Sequence, residues 1–269
     1  MTDWLAVLLL GIIEGITEFL PVSSTGHLLV AEQWLPRQTE LFNVVIQSGA
    51  VLAVIPLFRA RFRQFLFQWR ETATQDYGFK IVLAFFITGV GGLLLKKAGL
   101  ELPKTAWPII GALLLGGVAF LVVEGRLKGR SLANEVTWGM AVAVGVAQLV
   151  AAAFPGTSRS GASILCVLLL GLNRPLGTEF AFLVGIPTML AAGAYEMFKA
   201  LYHPAADAPH ENWPMVALGC VVAAMVSFIA VKWLLRYVQT HTFVLFGWYR
   251  IALAAVIVVL LVLHPGLGK

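Results

Sequence analysis

Gly11-Ile-Ile-Glu-Gly-Ile-Thr-Glu-Phe-Leu-Pro-Val-Ser-Ser-Thr-Gly-His27 is the stretch that decides the fold. It sets Glu14 and Glu18 four residues apart in an apolar run, so a helix over residues 3–19 stacks both carboxylates on one face, with Thr17 beside them. Pro21 stops that helix and pushes Leu20 toward extended geometry. Ser23, Ser24 and Thr25 follow as N-cap candidates for a second, short helix. The chain therefore reads as helix, break and new helix N-terminus, which offers unpaired N–H groups and the positive end of a dipole. Lined by hydroxyls and flanked by acids, such a break is an anion site in outline.

Composition makes the surroundings a bilayer. The chain has 269 residues, 59% hydrophobic and 12% charged, with a mean hydropathy of +0.86; soluble domains carry about 25% charged residues. An integral membrane protein is the class that fits. An acidic residue near the bilayer centre costs roughly 2.5 to 3.5 kcal/mol on insertion scales, so the position of Glu14 and Glu18 matters more than their type. Met-Thr-Asp gives no basic region ahead of the first apolar run and no cleavage site stands out after it, so no removable signal peptide is expected. Net charge is +5, but the basic residues flank apolar segments, which is a topology signal and an attraction to anionic lipid, not a nucleic-acid footprint. Cys166 and Cys220 lie far apart in apolar runs and read as packing residues rather than a disulfide or metal site. There is no Walker loop or dinucleotide glycine fingerprint, so ATP-driven work is unsupported.

Working outward, residues 28–35 are an apolar run ending at Pro36, short of the roughly 20 residues a span needs. With the helix before it, this run reads as a re-entrant element, whose broken backbone must be satisfied by protein or a water-filled cavity. Residues 41–58 read as the first span, carrying Asn43, Gln47 and Ser48 and followed by a basic loop of Arg59, Arg61, Arg63 and Arg70, expected in the cytoplasm. Residues 79–95 and 107–123 are the next spans, with Arg126, Lys128 and Arg130 again cytoplasmic and Lys96, Lys97 and Lys104 outside. Residues 138–154 repeat the opening theme: an apolar helix with Gln148 inside, broken by Phe-Pro-Gly-Thr-Ser-Arg-Ser-Gly at 154–161, then a short helix at 162–172. Residues 179–198, 215–235 and 243–263 complete the spans, with a polar external loop at 203–213 and Lys232 and Arg236 inside.

Gly11, Pro21, Ser23 and Gly26 align with Gly145, Pro155, Ser158 and Gly161, with one extra residue in the second copy. Each half, 1–130 and 131–269, then holds one re-entrant element and three spans. Three crossings is odd, so the second half enters upside down and the two broken helices meet near the midplane, as in secondary transporters. The expected fold is an all-α integral membrane protein: one membrane domain of six transmembrane helices plus two re-entrant broken helices in an inverted-topology repeat. At the meeting point Glu14, Glu18 and His27 face Arg159, Ser158, Ser160 and Ser163, a constellation that suits a diphosphate.

Glu-Gly-Ile-Thr-Glu-Phe-Leu-Pro-Val-Ser-Ser-Thr-Gly-His and Pro-Gly-Thr-Ser-Arg-Ser-Gly-Ala resemble the two signature motifs of the bacterial undecaprenyl-diphosphate phosphatases, the bacitracin-resistance family. The resemblance extends over the whole chain, including Val45-Ile46-Gln47-Ser48-Gly49 and Glu179-Phe180. It implies removal of one phosphate from the C55 isoprenyl diphosphate released by cell-wall polymerisation, in a multi-pass protein of the inner membrane whose site opens to the periplasm. It also implies that Glu14, Glu18, Ser24, His27 and Arg159 are the working residues. Ser23, Thr25, Ser158, Ser160 and Ser163, with the backbone at Gly26 and Gly161, would hold phosphate oxygens. Ser163 stands where the family pattern leads one to expect threonine, with the hydroxyl kept.

The chemistry has its own logic. Cleaving a diphosphate spreads charge over phosphoryl oxygens, which calls for a fixed cation and N–H donors. Arg159 offers a planar fork. Ser24, opening the short helix with His27 one turn on, is the best nucleophile candidate, with Glu18 to accept its proton; water held by Glu18 is the alternative. Glu14 and Glu18 beside a diphosphate repel one another unless a divalent ion, Mg2+ or Ca2+, bridges them. The expected partners are a polyisoprenyl diphosphate and the bilayer, no nucleic acid, with homodimerisation left open. A secondary transporter or lipid-carrier flippase is the rival reading, favoured by the symmetry alone.

Overall fold

The computed structural model describes residues 3–31, 34–99, 105–202 and 212–263. Among them there is no strand, only an isolated bridge between Ala133 and Leu172. The helices are α1 (Asp3–Thr17), α2 (Ser24–Ala31), α3 (Glu40–Val54), α4 (Arg59–Phe67), α5 (Thr72–Lys97), α6 (Ala106–Leu127), α7 (Trp138–Ala153), α8 (Arg159–Leu169), α9 (Arg174–Tyr202), α10 (Trp213–Tyr237) and α11 (Val244–Leu263). Among the described residues six helical stretches are long and apolar enough to cross a membrane: Leu41–Phe67, which runs through α3 and α4, Thr72–Lys97, Ala106–Leu127, Arg174–Ala200, Trp213–Tyr237 and Val244–Leu263. They match the six expected spans. α1, at 15 residues, reaches about 22 Å, short of the roughly 30 Å hydrocarbon layer.

Three local expectations are corrected. The basic stretch after the first span is not a loop: a 3-10 turn, Ile55–Phe58, absorbs Pro56 and the chain continues as α4. There Arg61 donates to Glu179 of α9 and to Gln64, and its guanidinium lies over the Tyr77 ring of α5, so the helix is pinned to two neighbours. The second short helix begins at Arg159, not Ala162. α1 ends at Thr17, two residues early. Lys104 and most of the polar loop at 203–213, with His203 and His210, lie outside the described residues, as does His264.

The principal helix contacts cross between the chain's first and second halves. α1 and α3 pack on α10; α7 and α9 pack on α5; α3 meets α9; α6 meets α11. Exchanging α1, α3, α5 and α6 with α7, α9, α10 and α11 maps this set of contacts onto itself. Small residues allow the close approaches. A Cβ at Gly11 or Gly15 would lie 3.0 or 2.8 Å from the carbonyl oxygens of Gly219 and Ala223 on α10, a small-xxx-small crossing that lets backbones touch in lipid. Gly117 and Gly247 face one another in the same way between α6 and α11. Ser227 donates to the Gly15 carbonyl at 2.9 Å, and Thr88 to that of Gly145 at 3.2 Å.

The buried charge away from the breaks is paired. Glu124 of α6 accepts from Arg174 of α9 and from the Phe243 N–H at 2.8 Å, tying three elements together. Outside, the spans show large apolar side chains such as Phe86, Leu115, Ile229 and Val262, the surface a lipid environment asks for.

Candidate active site

The two breaks have one local plan. Ser23 and Ser158 are the non-glycine residues with positive φ among those described, 74° and 67°. Each side-chain oxygen accepts the N–H of the glycine three residues on: Gly26 to Ser23 at 3.3 Å, Gly161 to Ser158 at 3.1 Å. Both serines are thus N-caps, and their acceptor oxygens, expected on phosphate, are turned to the backbone. The residue after each cap opens its helix: Ser24 in α2, Arg159 in α8. The N–H groups of Ser24, Thr25, Arg159 and Ser160 carry no hydrogen bond among the described residues. Two pairs of free donors at two helix N-termini form a place for an anion.

The breaks touch. The buried hydroxyl of Ser160 donates to the Leu20 carbonyl at 3.1 Å, 140 residues away along the chain, and lies 3.1 Å from Ser158 Oγ. Ser160 therefore joins the loops rather than pointing outward. Thr25 is exposed, Ser24 and Arg159 half-buried.

Ser24 Oγ donates to Glu18 Oε2 at 2.9 Å, so the proposed nucleophile and base are already in contact. Glu18 is 8% exposed and Glu14, one turn earlier, 3%. Glu14 is acted on by Glu18, by Gln47 of α3 and by the Arg159 guanidinium, which brings all three elements together. Arg159 makes no hydrogen bond or ion pair of its own among the described residues, leaving its fork available. Glu14 Oε2, both polar atoms of Gln148 and Ser163 Oγ are buried without a partner. Polar atoms buried in this way mark places where a ligand, an ion or water can bind. Among the described residues no three His, Cys, Asp or Glu side chains cluster as a ready metal cage. Two carboxylates, one with an unpartnered oxygen, do fit a hard divalent cation that takes its remaining ligands from phosphate and water.

His27 differs from its expected place. Its Nδ1 meets the Ser23 carbonyl at 2.7 Å, which can only accept, so Nδ1 carries a proton; Nε2 meets the Tyr249 hydroxyl at 2.6 Å. The rings stack at 5.6 Å between centroids. Both nitrogens are thus spent on a tie between α2 and α11 rather than on Ser24. Sequence reasoning missed Tyr249, and also Arg250, a fully buried arginine that donates to both break loops. The available signal was a charge inside the last apolar span.

The chain resembles known proteins along most of its length. The model of the family described as bacitracin resistance protein BacA matches residues 7–256. An undecaprenyl-diphosphatase of Rhizobium etli (strain CIAT 652) is 49% identical over 256 residues, 95% of this chain and 96% of the relative. One of Xanthomonas euvesicatoria pv. vesicatoria (strain 85-10) is 48% identical over 259 residues, 95% and 96% of the two chains. One of Xanthomonas campestris pv. campestris (strain 8004) is 48% identical over 262 residues, 95% and 97%.

Proposed function

The chain belongs to the bacitracin resistance protein BacA family, and from that premise we propose that it hydrolyses undecaprenyl diphosphate to the monophosphate and inorganic phosphate, recycling the lipid carrier of cell-wall synthesis. It is a membrane-embedded phosphatase. The similar proteins of Rhizobium etli and Xanthomonas euvesicatoria are undecaprenyl-diphosphatases, which supports this reading over that of a transporter or flippase. The observation that carries it is the 2.9 Å bond from Ser24, the first residue of α2, to Glu18.

In the proposed mechanism the terminal phosphoryl group lies between the two N-termini, its oxygens on the free N–H groups and the Arg159 fork. Ser24 Oγ attacks the terminal phosphorus as its proton passes to Glu18. The bond from that phosphorus to the bridging oxygen breaks, and the lipid monophosphate leaves with the electron pair. Glu18 releases that proton to solvent, then takes one from a water that attacks the phosphoserine; the bond from phosphorus to Ser24 Oγ breaks, inorganic phosphate departs and Glu18 returns its proton to Oγ. A Mg2+ or Ca2+ ion held by Glu14 and Glu18 would neutralise phosphate charge. His27, fixed by Ser23 and Tyr249, keeps the first turn of α2 in place.

The setting is part of the proposal: a multi-pass protein of the inner membrane, its site open to the periplasm and its basic segments at Arg59, Arg126 and Arg236 in the cytoplasm. We read the halves 1–130 and 131–269 as an inverted repeat, supported by the shared cap geometry at Ser23 and Ser158 and by the self-mapping helix contacts. Purified protein in detergent, where no gradient exists, should release inorganic phosphate from a long-chain isoprenyl diphosphate. No release above background, with folded protein and divalent ion supplied, would overturn the phosphatase reading.

A further inference from the structure

Arg250 of α11 is 1% exposed and lies in an otherwise apolar helix. Its guanidinium donates to the carbonyls of Pro21 at 3.3 Å, Gly156 at 3.2 Å and Ala112 at 2.9 Å, with Nε at 3.5 Å from that of Leu113. Pro21 belongs to the first break and Gly156 to the second. Among the described residues no carboxylate is in ion-pair range of Arg250. Space for it is built in: a side chain on Gly116 would collide with the guanidinium, and a Cβ on Gly161 would lie 3.3 Å from Nη1.

A cation inside an apolar span is expensive and is kept where it has a task. Here the carbonyls freed by two helix breaks need donors at membrane depth, and one planar fork serves both at once. We propose that Arg250 is a positioning residue: by gripping the Pro21 and Gly156 carbonyls together, it sets the separation of the α2 and α8 N-termini and hence the in-line reach of Ser24 to a phosphoryl group held by Arg159. The assignment rests on the phosphatase reading above. Arg250 touches neither nucleophile nor substrate. Its effect runs through the backbone that carries them, where about 1 Å of misplacement costs on the order of 100-fold in rate. A lysine keeps the charge but concentrates it on one nitrogen, so it loses the rigid spacing between Nη1 on Pro21 and Nη2 on Gly156 that holds the two carbonyls apart.

The test compares wild type, Arg250→Lys and Arg250→Gly as purified, monodisperse proteins hydrolysing a long-chain isoprenyl diphosphate in detergent. Both variants should lose about 100-fold in kcat with KM changed less than about threefold, since misplacement acts on the transition state. Guanidinium ion at low millimolar concentration should restore at least about tenfold of the Arg250→Gly loss, because it rebuilds the carbonyl bridge, and methylammonium should not. The role is overturned if Arg250→Lys keeps turnover within about threefold of wild type, if guanidinium gives no rescue, or if neither variant can be obtained folded, which would make Arg250 a stability residue. Absence of phosphate release by the wild type would instead sink the phosphatase reading, a separate result.

Discussion

Ser23 and Ser158 share a positive φ, 74° and 67°, and each caps a helix, the one that opens with Ser24 and the one that opens with Arg159. A side chain at positive φ is strained, and the serine oxygen offsets that strain by capping the helix. Ser158→Ala keeps the strain and loses the cap, so it should cost about 1 to 2 kcal/mol; Ser158→Gly loses the cap but relieves the strain and should cost less. Thermal midpoints of the two variants in one detergent check this. An alanine variant as stable as the glycine variant would contradict it.

Glu14→Gln and Glu18→Gln keep size while removing charge. Each should lower turnover by roughly two or more orders of magnitude, Glu18 as the base bonded to Ser24 and Glu14 as a holder of the divalent ion. Titrating Mg2+ or Ca2+ into EDTA-treated protein separates them. Glu14→Gln should raise the metal concentration needed for half-maximal rate, whereas near wild-type rates in both would make the carboxylates structural.

Arg159→Lys should fail almost as badly as Arg159→Ala, because an ammonium keeps the charge and loses the bidentate fork. The expected loss is roughly 3 to 4 kcal/mol of transition-state stabilisation, comparable to deleting one strong oxyanion donor. It should fall on kcat more than KM, since the isoprenoid tail supplies ground-state binding from the bilayer. Steady-state kinetics decide: a lysine variant with wild-type kcat would show that charge alone suffices.

Gly15 is where α1 meets the backbone of α10, its missing Cβ 2.8 Å from the Ala223 carbonyl. Gly15→Ala must push α1 away and should destabilise by about 1 to 3 kcal/mol. Because Glu14 and Glu18 ride on that segment, activity should fall more than the thermal midpoint alone accounts for. Gly92, with nothing within 4 Å of its missing Cβ, is the control position for the same substitution.

Much of this was legible in the sequence because a bilayer simplifies the code. Apolar runs long enough to span gave six helices, and Pro21 and Pro155 marked two breaks. Periodicity could not show that residues 59–67 are helical, since the stretch is rich in arginine and held by partners far along the chain, Glu179 and Tyr77. In the sequence Ser23, Thr25, Ser158 and Ser160 all read as phosphate ligands, and only the folded geometry distinguishes capping Ser23 and Ser158, bridging Ser160 and exposed Thr25. Tyr249 and Arg250 were missed for a related reason: their partners sit on α2 and in the two breaks, contacts no local pattern encodes.

The central claim is that Ser24, primed by Glu18, is the atom that attacks phosphorus. The direct measurement is turnover of Ser24→Ala beside Ser23→Ala and Thr25→Ala, on folded protein with one isoprenyl diphosphate. The account predicts that Ser24→Ala falls by roughly three orders of magnitude or more, as loss of a nucleophile should. Ser23→Ala and Thr25→Ala should fall by about tenfold or less, since one removes a cap and the other an outward hydroxyl. Equal and modest losses at all three would contradict it and make water the nucleophile.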